Sequence, residues 1–327
     1  MISTLYTLVI PAFNAKDTIE RCLMTVAEQL SNREEVEVIV VDDGSVDGTA
    51  DIAEAIIARS GLLHAQVIRQ ANAGVSVARN SGIGIAKGTY IGFLDSDDYW
   101  LPGHWAAIAQ KMTGAALPDI IELNARMVDL QDAFLSDVDV SLAGDHVENI
   151  DVGLLVRYAS LHKHFPWARV YRAELFRARL FAEGRHYEDN GAIPWIYFEA
   201  KTICSINVPL IAYVIKNKHS ITGTAKYSHS VDLAYFAQEA TEQAQKHPTH
   251  SRFWYLIAAN AVIANIALIL RLPFGQQLRA LREAKKVGSI PDGQIARRLQ
   301  VKSNFPITYF LFLSVKALKR GGHRESL

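Results

Sequence analysis

Cysteine is scarce in this sequence of 327 residues: Cys22 and Cys204 are the only two, far apart and each in an apolar context. They give no disulfide pattern, so we expect a reducing, cytoplasmic compartment. The first apolar run starts at Leu5, which leaves no room for a secretory signal peptide, and we expect none. Half of the residues are apolar, enough for a sizeable core, and the length allows one large domain with an appended region.

Several catalytic and cofactor motifs are also missing. No P-loop, HExxH zinc helix, GxSxG nucleophile elbow or paired CxxC occurs. Gly82, Gly84 and Gly88 look like a dinucleotide-binding fingerprint, but the third glycine comes one position late and the set does not follow the first strand. We interpret these glycines as close helix packing and a helix C-cap.

The first hundred residues alternate between strand and helix patterns. Apolar runs over residues 5–13, 36–41, 66–69 and 90–94 predict four strands. Between them lie helical patterns, one preceded by residues 14–17, which offer N-cap chemistry, and another over residues 76–87. This order predicts a doubly wound α/β fold whose ligand binds at the carboxyl ends of the strands.

Polar residues stand at three of those predicted strand ends. They are Pro11-Ala12-Phe13-Asn14, Asp42-Asp43-Gly44-Ser45 and Asp95-Ser96-Asp97. Clustered carboxylates repel one another, and a divalent cation with oxygen ligands relieves that repulsion. The last segment therefore indicates a clamp for a metal and a diphosphate, or else a polar turn with a helix N-cap at Asp97 or Asp98.

The order of these motifs resembles that of a known family. The segments VIPAFNAKDTIERCL, VIVVDDGSVDGTADI, QANAGVSVARNSGIGIAKGTYIGFLDSDDYW and HYEDN are similar to those of family 2 glycosyltransferases of the GT-A fold, over residues 5 to about 220. The resemblance implies inverting transfer of a sugar from a nucleoside diphosphate to a hydroxyl, with Mg²⁺ or Mn²⁺.

The resemblance also implies roles for particular residues. Asp97 binds the metal and Asp95 contacts the ribose. The other residues expected at the nucleotide sugar are Pro11, Ala12, Asn14, Asp42, Asp43, Asn72, Arg79 and Ser96.

The residue types leave alternatives at some of these positions. A carboxylate at Asp43 can accept the imide N–H of uracil, a donor that cytosine lacks, and we therefore expect a UDP-linked donor. Because an Asp-Gly turn with capping needs only one of the two acids, Asp42 could instead serve the turn alone, and we favour Asp43 as the residue that contacts the base. Arg79 could be a structural ion-pair partner on its helix.

The second half of the chain supplies the expected general base. Inverting displacement needs a carboxylate that takes the acceptor's proton. By resemblance this is Asp189, with Glu188 as the alternative, while both could simply favour a helix N-terminus.

His186 is expected to be a packing residue. Relatives commonly carry lysine where this chain has Arg169, in a segment, residues 165–172, expected to lead into a helix. Residues 216–220 form either a lid over the diphosphate or a solvated turn.

Charge is distributed unevenly along a chain of zero net charge. Residues 271–327 hold 12 Lys/Arg and 3 Asp/Glu, a net of +9, which leaves −9 for the remainder. The uncharged run Phe253–Leu270 predicts a buried helix rather than a membrane span, because it contains two asparagines. The apolar cluster 310–313 precedes four basic residues, which indicates either an anchor on an anionic membrane or a docked helix; these are Lys316, Lys319, Arg320 and Arg324.

These observations combine into one expectation. Residues 1–225 form a GT-A domain, with Rossmann-like and mixed-sheet character, and residues 226–327 form a helical, basic region. The enzyme acts on a glycan or lipid-linked glycan at the inner face of the plasma membrane, and it binds no nucleic acid. The rival functions are sugar-phosphate nucleotidyl transfer and non-catalytic binding of a nucleotide sugar.

Overall fold

The structure is a computed structural model that describes residues 4–215, 225–287 and 291. Its strands are β1 Tyr6–Ala12, β2 Val36–Asp42, β3 Ala65–Arg69, β4 Tyr90–Phe93, β5 Tyr99–Trp100, β6 Ile120–Val128, β7 Phe134–Val138, β8 Glu148–Asn149, β9 Arg169–Arg172 and β10 Thr202–Val214. Its α-helices are α1 Ile19–Leu30, α2 Thr49–Arg59, α3 Val75–Ile85, α4 His104–Met112, α5 Val152–Leu161, α6 Asp189–Glu199, α7 Tyr227–Lys246, α8 Ser251–Ile269 and α9 Phe274–Lys285.

One mixed sheet holds the strands of the described residues together. Its order is β3-β2-β1-β4-β9-β6-β10-β5, with β7 beside β6 and β8 beside β10. The strands β3, β2, β1 and β4 run parallel, whereas β9 is antiparallel to both of its neighbours. The predicted architecture, a doubly wound half that continues into a mixed sheet, is confirmed.

Burial explains why the first elements form where the sequence predicts them. Every residue of β1 and β2 is buried, as expected for parallel strands covered on both faces. The apolar stripe of α1, Ile19 to Leu30, is buried as well. Capping differs from the prediction: α1 starts after Thr18, with no side-chain cap. The amide oxygen of Asn14 instead accepts the backbone N–H of Val46, because Asn14 lies in a left-handed turn with φ 48°.

The segment 165–172 leads into a helix as predicted, the 3-10 helix Ala173–Arg177, but the segment itself contains structure that the sequence did not indicate. It contains a short 3-10 helix, Pro166–Ala168, and then β9, which lies between β4 and β6 in the sheet; a second 3-10 helix follows at Ala173–Arg177. Three of the four residues of β9 are buried, so this segment is a central strand that sequence periodicity over four residues did not reveal.

The chain divides into two compact units that are interleaved in sequence. The first comprises residues 1–151, 163–184 and 192–217, and the second comprises residues 152–162, 185–191 and 218–327. The second unit contains α5, α7, α8 and α9. Residues 248–269 are long and apolar enough to cross a membrane, but 72% of their most apolar window is buried, so the predicted buried helix is confirmed. A domain boundary near residue 225 stays a prediction.

The glycines of α3 have different surroundings. A Cβ on Gly82 would lie 2.4 Å from Cγ1 of Val9, so this glycine lets α3 pack tightly on β1. Gly84 faces open space. Gly88 does not cap α3 as predicted, because the helix ends at Ile85. Gly88 instead lies close to the backbone of β1, and a Cβ on it would lie 2.5 Å from the backbone nitrogen of Thr7.

We expect Gly82→Ala to destabilise the protein, because the methyl group must displace Val9, and overpacking costs ~1–3 kcal/mol. Gly84→Ala is the matched control on the same helix. It should stabilise by up to ~1 kcal/mol through helix propensity alone. Urea denaturation of both variants checks this, and equal midpoints for the two would contradict the packing role of Gly82.

Candidate functional site

The polar strand ends of the first unit meet at one edge of the sheet. Ala12 at the end of β1 pairs with Asp42 at the end of β2, and the backbone N–H of Asp43 donates to the carbonyl of Ala12 at 2.8 Å. The N–H of Gln70, just after β3, donates to the carbonyl of Asp42 at 2.9 Å. Three loops therefore start side by side at the carboxyl ends of parallel strands, the usual position of a ligand in such sheets.

Asn14 joins the first two of these loops. Its side-chain oxygen accepts the N–H of Val46 at 3.1 Å, and its own N–H donates to the hydroxyl of Ser45 at 2.9 Å. The residues before it, Pro11 and Ala12, are buried in β1. The rim of the site is thus fixed by hydrogen bonds between the β1–α1 and β2–α2 loops.

Asp43 fixes the third loop. One carboxylate oxygen accepts the side-chain amide of Gln70 at 2.7 Å and the N–H of Ala73 at 2.9 Å, and the other accepts the N–H of Gly74 at 2.8 Å. Asp43 is 3% exposed, and Asn72 lies on the exposed side of the loop that it holds. Gly44 must be glycine, since its φ is +75° and a Cβ would lie 2.7 Å from the nitrogen of Asn72.

Asp42 is bound differently from its neighbour. Its Oδ2 accepts the N–H of Ser45 at 3.2 Å, which makes the predicted Asp-Gly turn. Its Oδ1 is buried with no hydrogen-bond partner among the described residues. Asp42 therefore keeps a spare acceptor, whereas both carboxylate oxygens of Asp43 are engaged. The role of either acid towards a base stays a prediction.

An ion pair lies at the end of β4. Arg79 on α3 donates to Asp95 at 2.9 Å, with its side chain only 5% exposed and its guanidinium 5.3 Å from the centre of the Phe181 ring. Arg79 thus forms an ion pair in this structure, and its role near a nucleotide stays a prediction. The side chain of Asp95 is 31% exposed, so a ligand can reach it while it pairs with Arg79.

The three acids after β4 have separate surroundings. Asp98 is buried and its Oδ1 accepts the N–H of Val214 at 2.8 Å, so it ties this turn to β10. Ser96 and Asp97 are partly exposed. No group of three or more His, Cys, Asp or Glu side chains that could hold a metal occurs in residues 4–215, 225–287 and 291. A single partly exposed carboxylate nevertheless fits Mg²⁺ or Mn²⁺, because such ions often use one or two carboxylates plus substrate phosphates.

Glu188 and Asp189 lie in the second unit, at the start of α6. Asp189 Oδ1 accepts the N–H and the side-chain amide of Asn190, each at 2.9 Å. Both acids are partly exposed, and Tyr187 before them has φ 59°. The two acids are adjacent and partly exposed, and the role of either as the general base stays a prediction.

Two further residues have clear partners. His186 packs as expected: its ring nitrogen Nδ1 lies 3.2 Å from Asp232, and its ring packs at a tilt of 46° against that of His229, with centroids 4.3 Å apart. Arg169 is buried and donates to the hydroxyl of Tyr197 at 2.6 Å. That hydroxyl in turn donates to buried Glu122, so Arg169 belongs to an internal polar network.

The sequence reasoning missed Asp232, His229 and Glu122. Asp232 and His229 are three residues apart, one turn of a helix, which was the available sign that they share a face. The predicted loop at residues 216–220 and the membrane tail at residues 310–324 lie outside the described residues.

Comparison with known proteins adds to this geometry. Residues 7–117 match the family model described as Glycosyl transferase family 2. Residues 7–117 therefore form a family 2 glycosyltransferase domain. It is 42% identical over 95 residues to the uncharacterized glycosyltransferase EpsJ of Bacillus subtilis, which is 29% of this chain and 26% of EpsJ. It is 43% identical over 97 residues to the succinoglycan biosynthesis protein ExoU of Rhizobium meliloti, which is 29% of this chain and 27% of ExoU.

A solved structure extends the likeness in fold to nearly the whole chain. Residues 1–349 of TarS from S. aureus, in complex with UDP-GlcNAc, superpose with a TM-score of 0.72 at 19% identity, covering 97% of this chain and 92% of that one. The sequence matches to curated relatives span only about a quarter of EpsJ and ExoU. The fold and the family of the N-terminal segment are therefore established, and the activity of the whole chain is a matter for proposal.

We expect Asp43→Asn to loosen the loop of residues 70–74, because an amide offers a donor where a carboxylate oxygen accepted an N–H. Hydrogen bonds to charged groups contribute ~1.5–3 kcal/mol, so hydrogen exchange at Ala73 and Gly74 should speed by about tenfold or more. Asp51→Asn is the control, since that acid is 74% exposed and pairs with Arg69 on the surface. Unchanged exchange at the two amides would show that Asp43 does not hold the loop.

Proposed function

We propose that this chain transfers a sugar from a UDP-linked donor to a hydroxyl of a glycan acceptor, with inversion and with a divalent cation. The observation that carries the proposal is the edge of the sheet where Asn14, Asp42, Asp43 and Asp95 meet at the carboxyl ends of parallel strands, inside the family 2 domain. That TarS, a protein of the same fold, has been solved with UDP-GlcNAc supports a nucleotide sugar as the donor.

On the donor side, each polar group has a defined task. Asp97 would hold the cation together with the diphosphate, and the ion would neutralise the charge that develops on the leaving group. Asp95, oriented by Arg79, would accept a ribose hydroxyl. The acids after β2 would read the uracil imide, with Asp42 offering the spare oxygen. Asn14, Asn72 and Ser96 would line the pocket.

On the acceptor side, one carboxylate of the Glu188–Asp189 pair acts as general base. The acceptor hydroxyl attacks the anomeric carbon, and its proton passes to the carboxylate. The new carbon–oxygen bond forms as the bond to the diphosphate oxygen breaks on the opposite face, so the anomeric configuration inverts. We assign the base to Asp189, which is partly exposed at the start of α6 and whose Oδ1 is oriented by the N–H and the side-chain amide of Asn190.

The acceptor we propose is a growing glycan on a membrane lipid, reached from the cytoplasmic face. The exposed face of α9 supports this. Phe274 and Leu278 lie one turn apart and are 77% and 56% exposed. Exposed basic residues surround them, whereas Glu283 is partly buried and pairs with Lys286 at 2.7 Å; the basic residues are Arg271, Arg279, Arg282, Lys285 and Lys286. Apolar side chains within a basic face suit the surface of an anionic bilayer.

We expect Asp97→Asn to abolish Mn²⁺-dependent binding of UDP and to lower release of UDP from the donor by at least about 10²-fold, because the amide removes the charge that holds the cation. Asp137→Asn on exposed β7 is the control. Calorimetry with and without Mn²⁺, together with a UDP-release assay, measures both effects. Turnover like that of the wild type would remove Asp97 from the metal site.

We expect Asp189→Asn to lower kcat by ~10²–10⁴-fold while donor affinity stays near normal, because a general base acts in the transition state and not in donor binding. Glu188→Gln is the paired variant. If only Glu188→Gln shows this pattern, the base is Glu188. If neither does, the base lies outside this segment.

We expect the full chain to cosediment with vesicles containing phosphatidylserine, less so at high salt, because each basic residue contributes ~1 kcal/mol that salt screens. Replacing Phe274 and Leu278 by serine should weaken the salt-resistant part. Serine at Leu130 and Phe134, which are 56% and 59% exposed, is the matched control. Equal binding by both double variants would contradict a role for α9.

A further inference from the structure

The acidic residues at the start of α6 are preceded by a segment that one carboxylate holds in place. Asp232 of α7 accepts the guanidinium of Arg185 at 3.0 Å through Oδ1. Its Oδ2 accepts the backbone N–H of His186 at 3.0 Å and lies 3.2 Å from the ring nitrogen Nδ1 of the same residue. Asp232 is 6% exposed, whereas the side chains of Arg185 and His186 are 32% and 39% exposed, so the buried partner in these contacts is Asp232.

A second residue of α7 packs on the same segment. The ring of His229 lies 4.3 Å from that of His186 and, edge to face, 5.7 Å from that of Tyr187. His229 is 2% exposed, and neither of its ring nitrogens has a hydrogen-bond partner among the described residues. Burial, and then the neighbouring His186, lower the pKa of His229, so the ring is favoured in its neutral form and packs as an apolar wall.

A third residue of α7 meets the chain just after the two acids. A Cβ on Gly191 would lie 2.4 Å from Cε1 of Phe236, which is itself 2% exposed. His229, Asp232 and Phe236 follow one another at spacings of three and four residues, which places them on one face of α7. That face therefore contacts residues on both sides of Glu188 and Asp189.

The backbone between these contacts has a conformation that it would not keep without support from neighbouring residues. Tyr187 has φ 59°, a left-handed conformation that a bulky side chain rarely adopts without support. The N–H groups of Asn190 and Gly191 donate back to the carbonyls of Tyr187 and Glu188 at 3.0 and 3.1 Å. The first turn of α6 thus grows directly out of the segment that Asp232 and His229 hold.

We propose that Asp232 is a positioning residue for the general base: through Arg185 and His186, with the wall of His229 and the contact of Phe236, it fixes where the carboxylates of Glu188 and Asp189 lie. This inference rests on the proposed function, in which one of those acids takes the acceptor proton. It predicts that Asp232 affects the chemical step and leaves donor binding intact. A purely structural role would instead reduce stability and all activities together.

The first experiment uses hydrogen exchange and requires no substrate. In the full chain, Asp232→Asn should speed exchange at Asn190 and Gly191 by about tenfold or more while exchange in α8 is unchanged. Glu242→Gln, an exposed acid of the same helix that contacts Gln238, is the matched control and should change neither. Unchanged exchange at the start of α6 in Asp232→Asn would overturn the proposal, as would equal loss of protection throughout the second unit.

The second experiment uses UDP release from UDP-glucose and UDP-N-acetylglucosamine with Mn²⁺, alongside calorimetry with UDP. Asp232→Asn and Gly191→Ala should each lower kcat at least about tenfold with the Kd for UDP within twofold of the wild type. Phe236→Leu should restore most of the activity of Gly191→Ala, because it gives the new methyl group room. Loss of UDP binding in step with kcat, or no rescue, would overturn the positioning role.

The two proposals fail separately. If Asp189→Asn or Glu188→Gln lowers kcat and Asp232→Asn does not, only the positioning role of Asp232 is wrong. If both of the former turn over donor like the wild type, the base assignment itself is wrong.

Discussion

The site in the first unit depends on the hydrogen bonds made by the buried carboxylate of Asp43. Its two oxygens accept three hydrogen bonds from the loop after β3, and its own N–H donates to the end of β1. One residue thus aligns loops from three neighbouring strands. A buried carboxylate is costly unless it is fully bonded, and here its donors are two backbone amides and the side-chain amide of Gln70. Fold and site are therefore specified by the same contacts.

The acids at the strand ends divide their tasks. Asp43 and Asp98 are buried and bind backbone amides, Asp95 pairs with Arg79, and Asp97 stays partly exposed. Neutralising most of the cluster with fixed donors reduces the repulsion that five neighbouring acids would otherwise suffer. A similar solution occurs deeper in the sheet. Burial raises the pKa of Glu122, while Arg169 and the hydroxyls of Ser205 and Tyr197 act in the opposite direction.

The parallel half of the sheet could be predicted from the sequence because β1 and β2 are seven-residue buried runs and its first helix has a clear apolar stripe, Ile19 to Leu30. Short or contact-dependent features could not. The strand β9 is four residues long, and only its neighbours β4 and β6 make it a strand. Asn14 looked like a helix cap, but its amide bonds to a loop 32 residues away. The partners of Asp43 and of His186 are likewise set by tertiary structure.

The central claim is that this family 2 domain uses a nucleotide sugar as a glycosyl donor. The most direct measurement is to incubate the full chain and Mn²⁺ with a panel of UDP-, GDP- and dTDP-sugars and to identify the products by mass spectrometry. Release of UDP and free or transferred sugar from a UDP-sugar, abolished by chelating the metal, is the predicted result. Formation of a sugar phosphate with a nucleoside monophosphate or, when pyrophosphate is added, with a nucleoside triphosphate would contradict the claim, as would no reaction with any donor.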